Sequence, residues 1–196
     1  MIKIIADTTC GLPLDILHQA GIEVLPQIIT FGGETYRDDT EIDTTTFLRK
    51  LRGSKTLPGT AAPPPALYTP IYKRILDAGD TALVIAPSAK ASGTFRSAAV
   101  AAQEFRTDRI HILDSKTLAG GLGSLVLAAQ EWAQAGLSIR EVKENVLEMA
   151  SREKVYFQLR TLEYLHRGGR IGHAAKLVGT LLHVCLLYTS PSPRDS

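Results

Sequence analysis

Apolar positions along the chain follow two alternating periods. Ile2 to Ala6 form a short apolar run closed by a polar turn, the pattern of a buried strand. Pro13 stands where a first helical residue belongs, and Leu14, Leu17 and Ala20 follow at helical spacing. Ile22 to Phe31 is β-rich, with Pro26 marking an edge strand or a bulge, and Gly32-Gly33 reads as a hairpin turn into Thr35-Tyr36-Arg37. Asp43 is placed to cap a short helix through Thr46, Phe47 and Leu51, and Ser54 to Pro65 reads as a loop. A regular rhythm then begins. Helices are predicted over about 66–76, 93–105 and 121–134, alternating with strands over 82–86 and 110–113. Ser138-Ile139-Arg140-Glu141 is a capping box that opens one more helix, striped by Val142, Val146 and Met149.

Strands and helices alternating at these lengths imply an α/β fold: a parallel sheet with helices on both faces, placed at residues 1–150. Residues 151–184 read as the start of a second α/β domain that is incomplete, with a strand over 155–159 and short helices over 161–166 and 174–182. Some 35 residues do not bury a core of their own, since domains below ~40 residues rarely fold without staples. Residues 185–196, Cys-Leu-Leu-Tyr-Thr-Ser-Pro-Ser-Pro-Arg-Asp-Ser, show neither period and resemble translated read-through of a sequencing adapter. The expectation is a non-native tail on a C-terminally truncated chain.

Composition narrows the function classes. With 44% apolar and 21% charged residues the chain reads as globular, and a net charge of +2 is too small for nucleic-acid binding by bulk electrostatics. No apolar run reaches the ~20 residues of a membrane-spanning helix, and with an acid at position 7 no secretory signal is expected in the opening residues. Cys10 and Cys185 make neither a disulfide framework nor a zinc pattern, so a reducing, cytoplasmic compartment is expected.

In open α/β sheets ligands bind outside the carboxyl ends of the strands. Three loops fall there: Asp7 to Gly11, Pro87 to Thr94, and Asp114 to Thr117; Gly59-Thr60 in the Pro-rich loop is a fourth candidate. Ser92-Gly93-Thr94 offers a hydroxyl donor and unpaired N–H groups at the positive end of a helix, which suits a carboxylate or a phosphate. Ser92 as a plain N-cap is the competing reading. Asp7 and Asp114 could act as acid or base, or could cap helices and tie down loops. Gly120-Gly121-Leu122-Gly123 follows the wrong strand for a dinucleotide fingerprint and reads as turn and packing glycines. His18, His111, His166, His173 and His183 show no metal spacing, and neither a P-loop nor a Gly-x-Ser-x-Gly elbow occurs. Residues 152–176 carry six Lys or Arg against Glu153 and Glu163, a solvated face or a surface for an anion or acidic partner.

Taken in order, these pieces resemble the DegV family of bacterial fatty-acid-binding proteins. Asp7-Thr8-Thr9 with Leu12-Pro13 is similar to the family's opening Asp-Ser-Thr and later Leu-Pro. Gly59-Thr60-Ala61-Ala62-Pro63 stands for Lys-Thr-Ser-Gln-Pro, and Ser88 to Thr94 for Ser-Ser-Gly-Leu-Ser-Gly-Thr. The most specific stretch is Thr161-Leu162-Glu163-Tyr164-Leu165 followed by Arg167-Gly168-Gly169-Arg170-Ile171.

The resemblance implies a two-domain carrier, not an enzyme, that binds one long-chain fatty acid in a tunnel between its domains. It would present the carboxylate to a separate ATP-dependent fatty-acid kinase, which forms an acyl phosphate for phospholipid synthesis. Thr60 and Ser92, helped by the Gly93 N–H, would hold the carboxylate, and Arg170 would lie near the mouth or at the kinase interface. No catalytic residue, metal or cofactor is implied, apart from the fatty acid as ligand, and transient membrane contact fits such a carrier. Ala61 and Ala62 replace polar residues of the pattern, and Lys90 replaces a loop glycine. Two other readings stay open: an enzyme that uses the same helix N-terminus to cradle a phosphorylated metabolite, and an inactive fragment.

Overall fold

The computed structural model describes residues 1–159, 161–171 and 186–189. It divides into two compact units, Met1–Glu153 and Lys154–Ser196.

The first unit is built on a parallel sheet of β1 (Ile2–Asp7), β2 (Glu23–Leu25), β6 (Thr81–Ala86) and β7 (Ile110–Asp114), in the order β2-β1-β6-β7. Side chains alternate across the sheet and so define two cores. Ile4, Ala6, Leu83 and Ile85 point to one face and pack with Leu17 of α1 (Leu14–Ala20), Leu122, Leu125 and Val126 of α5 (Ala119–Gln134), and Val142 and Val146 of α6 (Ile139–Arg152). Ile5, Ala82 and Val84 point to the other, against Tyr68, Tyr72 and Ile75 of α3 (Pro65–Asp77) and Ala98 and Ala101 of α4 (Thr94–Ala102). Both faces of the parallel sheet are covered, as the alternation of elements predicts. Tyr72 meets Phe105 edge-on at 6.0 Å, and its hydroxyl donates to the Ala98 carbonyl at 3.3 Å. Small residues on α4 let α3 come close enough for that bond.

Gly123 plays the same part on α5. A Cβ at Gly123 would stand 2.7 Å from the Cys10 carbonyl oxygen, so only glycine lets this helix rest on the 3₁₀ turn Thr8–Cys10 that follows β1. The capping box of α6 forms as predicted: Ser138 Oγ accepts from Glu141 N at 3.3 Å and Ser138 N donates to Glu141 Oε2 at 2.8 Å.

Pro26 does not make a bulge in one long strand. β2 ends at Leu25, and the chain enters a second, antiparallel sheet of β3 (Ile28–Phe31), β4 (Glu34–Arg37) and β5 (Gly59–Ala61), in the order β4-β3-β5. A residue without an N–H closes one ladder and begins another. The hairpin at Gly32-Gly33 is present, with Gly32 at φ +58°. Asp43 caps α2 (Thr44–Gly53) by accepting from Thr46 N at 2.8 Å. β5 lies inside the stretch predicted as loop; its three residues are exposed and carry no strand period, and pairing with β3 alone makes them a strand.

In the second unit, β8 (Tyr156–Leu159) pairs antiparallel with β9 (Leu186–Thr189), and α7 (Glu163–Arg167) lies between them in sequence. The aperiodic reading of 185–196 therefore misses a strand at Leu186–Thr189, which partner pairing supplies where side-chain period does not. The predicted helix over 174–182 lies outside the described residues.

Candidate functional site

Because β1, β6 and β7 run parallel, the loops at their carboxyl ends gather on one edge of the sheet. Asp7 closes β1 there and is 1% exposed. Its carboxylate accepts from Thr9 N at 3.1 Å, from the Thr9 hydroxyl, from Gln27 Nε2 at 2.7 Å and from Thr94 Oγ1 at 2.5 Å. Burial nevertheless pushes the Asp7 carboxyl above its ordinary value, with the bonds from Thr9, Thr94 and Gln27 pulling it back. Asp7 is thus an anchor that ties β1, the start of β3 and the first residue of α4 together. A second carboxylate extends the anchor: Asp38 accepts from Thr8 Oγ1 at 2.7 Å and from Gln27 N at 2.9 Å, and burial raises it too.

Ser92 sits at the outer end of this network, half-buried. Its Oγ lies 3.0 Å from Thr94 Oγ1 and accepts from Thr94 N at 3.3 Å. The N-cap position of α4 is Gly93, which has no side chain to offer, and Ser92 Oγ one residue earlier takes the first N–H of the helix. The helix's leading N–H groups have no acceptor within the helix, and its dipole is positive at this end. Ser92 thus caps α4 in part, through the Thr94 N–H, while standing beside the positive end of the helix.

The β5–α3 loop closes on the same point. A Cβ on Gly93 would stand 3.5 Å from Ala62 Cβ, and Ser97 Oγ donates to the Pro63 carbonyl. Thr60 is exposed on β5, in register with Ile29, two residues before that contact. The third loop holds the second in place: Asp114 accepts from Ala89 N at 3.2 Å and Lys116 N at 2.9 Å, and Ser88 N donates to the Thr117 carbonyl at 2.8 Å. Asp114 is thus the loop tie of the two roles left open for it. Lys116 and Ala119 take positive φ values of 57° and 52°, and between them Thr117 buries a hydroxyl with no partner among the described residues. Non-glycine residues in this region store strain of order 1–3 kcal/mol each, and such strain clusters at ligand-binding loops.

Thr60, Ser92 and Gly93 are therefore carried by segments that converge at one end of the sheet. Arg170 belongs to the second unit, where it is exposed and its Nη1 donates to the Gly168 carbonyl at 2.5 Å. Sequence reasoning gave no role to Thr94, Gln27 or Asp38. Thr94 stood in plain view in Ser92-Gly93-Thr94, whereas Gln27 and Asp38 belong to no motif. Among the described residues, no group of three or more His, Cys, Asp or Glu converges as metal ligands would, and no helix is long and apolar enough to cross a membrane. What remains is an array of hydroxyl and N–H donors at a helix terminus, backed by a buried carboxylate. Such an array suits a monoanion.

The family model described as "Uncharacterised protein, DegV family" matches residues 1–191. The chain belongs to the DegV family. A DegV domain-containing protein of Clostridium perfringens is 33% identical over 186 residues, covering 95% of this chain and 67% of that one. Two solved DegV structures share the fold. A fatty-acid-binding member from Thermus thermophilus superposes with a TM-score of 0.88 at 35% identity, over 97% of this chain and 68% of that one. DegV from Bacillus subtilis, also a fatty-acid-binding protein, gives a TM-score of 0.85 at 29% identity over the same shares. The chain spans about two thirds of the length of these relatives.

Proposed function

We propose that this DegV protein binds a long-chain fatty acid, with the carboxylate held by the Ser92 and Thr60 hydroxyls and the Gly93 N–H. The observation that carries this reading is the seating of the β5–α3 loop against Gly93, which brings two hydroxyl-bearing segments to one helix N-terminus. The solved DegV relatives that bind fatty acids give the ligand class. Burial of each CH₂ of an acyl chain stabilises a complex by ~0.8 kcal/mol, so the chain supplies affinity and the donors need only fix the head group. The buried Asp7 behind Thr94 argues against the phosphate reading. A dianion would meet its charge more severely than a monoanion does.

The protein acts as a carrier that forms no bond itself. It presents the carboxylate to a separate ATP-dependent fatty-acid kinase, and neutral hydroxyl donors leave that oxygen nucleophilic enough to attack the γ-phosphorus. Arg170, an exposed cation in the second unit, would lie near the mouth of the site or at the kinase contact. The test is acyl phosphate formation with a bacterial fatty-acid kinase, ATP and the purified protein. Ser92→Ala, with an unchanged circular dichroism spectrum, is expected to lower turnover at least tenfold; unchanged turnover, or competition by inorganic phosphate, would overturn the assignment.

A further inference from the structure

Proton counting around Asp7 sets which way the hydroxyls of the site can point. Thr94 has one hydroxyl proton and stands 2.5 Å from Asp7 Oδ2. An ionised carboxylate only accepts, so that proton is committed to Asp7. Ser92 Oγ, 3.0 Å from Thr94 Oγ1 and already accepting from Thr94 N, must then supply the proton of the Ser92–Thr94 contact. Ser92 therefore faces Thr94 as a donor and has nothing to offer an incoming carboxylate. Turning its O–H outward leaves two oxygens 3.0 Å apart with no proton between them.

Adding one proton to Asp7 reverses the whole chain. Asp7 donates to Thr94, Thr94 donates to Ser92, and Ser92 donates to the ligand, with every oxygen in the row satisfied. Oδ2 keeps a lone pair for Gln27 Nε2, and Oδ1 still accepts from Thr9.

We propose that binding of a carboxylate at Ser92 is coupled to uptake of one proton from solvent by Asp7, with Thr94 as the relay between them. The inference rests on Ser92 being the head-group ligand. Asp7 and Thr94 are positioning residues here, since neither touches the ligand. The groups that face Asp7 are compatible with this coupling. From the β4–α2 segment Asp38 brings a second negative charge, and Cys10 of the 3₁₀ turn and Tyr68 of α3 are neutral. Thr9, Gln27 and the N-terminus of α4 oppose protonation without supplying a formal charge. Burial of Asp7 brings its protonated form within reach before ligand arrives.

The test is isothermal titration calorimetry of the purified protein with dodecanoate between pH 5 and 8, in pairs of buffers that differ in ionisation enthalpy. Wild type is expected to take up as much as one proton per ligand beyond what the variants take up. Its affinity should fall by up to about tenfold per pH unit as pH rises through the coupled window. Asp7→Asn places an amide donor against Thr94 at every pH, so it should bind dodecanoate with no such uptake. Thr94→Val breaks the relay while keeping Ser92, and should also lose the coupling. Equal proton uptake in wild type and in both variants would overturn the relay and leave the head-group assignment standing. A folded wild type that binds no dodecanoate at any pH, or a Ser92→Ala variant that binds it equally well, would overturn the head-group assignment and the relay with it.

Discussion

Thr94 is 1% exposed, and its hydroxyl spans from the Ser92 loop to the carboxylate at the end of β1. Thr94→Val keeps the shape and deletes the hydroxyl, so no cavity term enters. Asp7 then loses one of its donors, and Ser92, half-buried, turns to water instead. Hydrogen bonds to a charged acceptor contribute ~1.5–3 kcal/mol, and a chain of this size shifts by about 2–4 °C per kcal/mol, so the melting temperature should fall by about 3–12 °C at neutral pH. The loss should also depend on pH. Burial holds the native Asp7 carboxyl above 3.8, so between 3.8 and its native value the folded state binds more protons than the unfolded chain. Asp7's contribution to stability therefore falls as pH rises through that window and is constant above it. Removing Thr94 raises the native value further, so the stability curves of variant and wild type separate as pH rises and run parallel at the top. Urea unfolding followed by Trp132 fluorescence reads this directly. Trp132 is the one tryptophan of the chain and packs against the core under α5. A loss below ~0.5 kcal/mol at pH 8, the size of an inert surface change, or a loss that grows as pH falls, would mean that Thr94 does not hold the Asp7 carboxylate.

Gly123→Ala should destabilise the first unit by about 1–3 kcal/mol in the same urea assay, because its Cβ would meet the Cys10 carbonyl oxygen at 2.7 Å and Leu12 Cγ at 2.9 Å. A backbone oxygen cannot swing aside as a side chain can, so a neutral result would mean that α5 does not rest on the 3₁₀ turn. Ser138→Ala removes the capping box of α6 and should cost about 0.5–2 kcal/mol, with Ser138→Asp restoring most of the loss. Gly93→Ala should keep both fold and ligand, since its Cβ meets Ala62 at an ordinary 3.5 Å. Gly93→Leu should fold but lose bound fatty acid, as native mass spectrometry would show.

The elements with strong local period were legible in the sequence. The buried run Ile2 to Ala6, the Ser138 box and the stripe from Leu122 to Val126 each announce themselves within a few residues, and each forms as read. What stayed hidden was made by partners distant in the chain. β5 is three exposed residues whose strand character comes from β3, thirty positions earlier. Leu186–Thr189 is a strand because β8 pairs with it. The candidate site divides along the same line. Ser92 and Gly93 could be picked out because a hydroxyl and a glycine at a helix start are a local signal, but the bond from Thr94 to Asp7 joins residues 87 apart. Gln27 and Asp38 carry no pattern at all. They matter through where Pro26 turns the chain and where β4 ends, which only the assembled fold decides.

The most direct measurement is organic-solvent extraction of the purified protein, with mass spectrometry of what it releases, run beside Ser92→Ala and Thr60→Val. A long-chain fatty acid at close to one per wild-type chain is expected, with a marked loss from both variants while their fold stays intact. A folded wild type that releases no fatty acid, or variants that retain it in full, would contradict the assignment of this site.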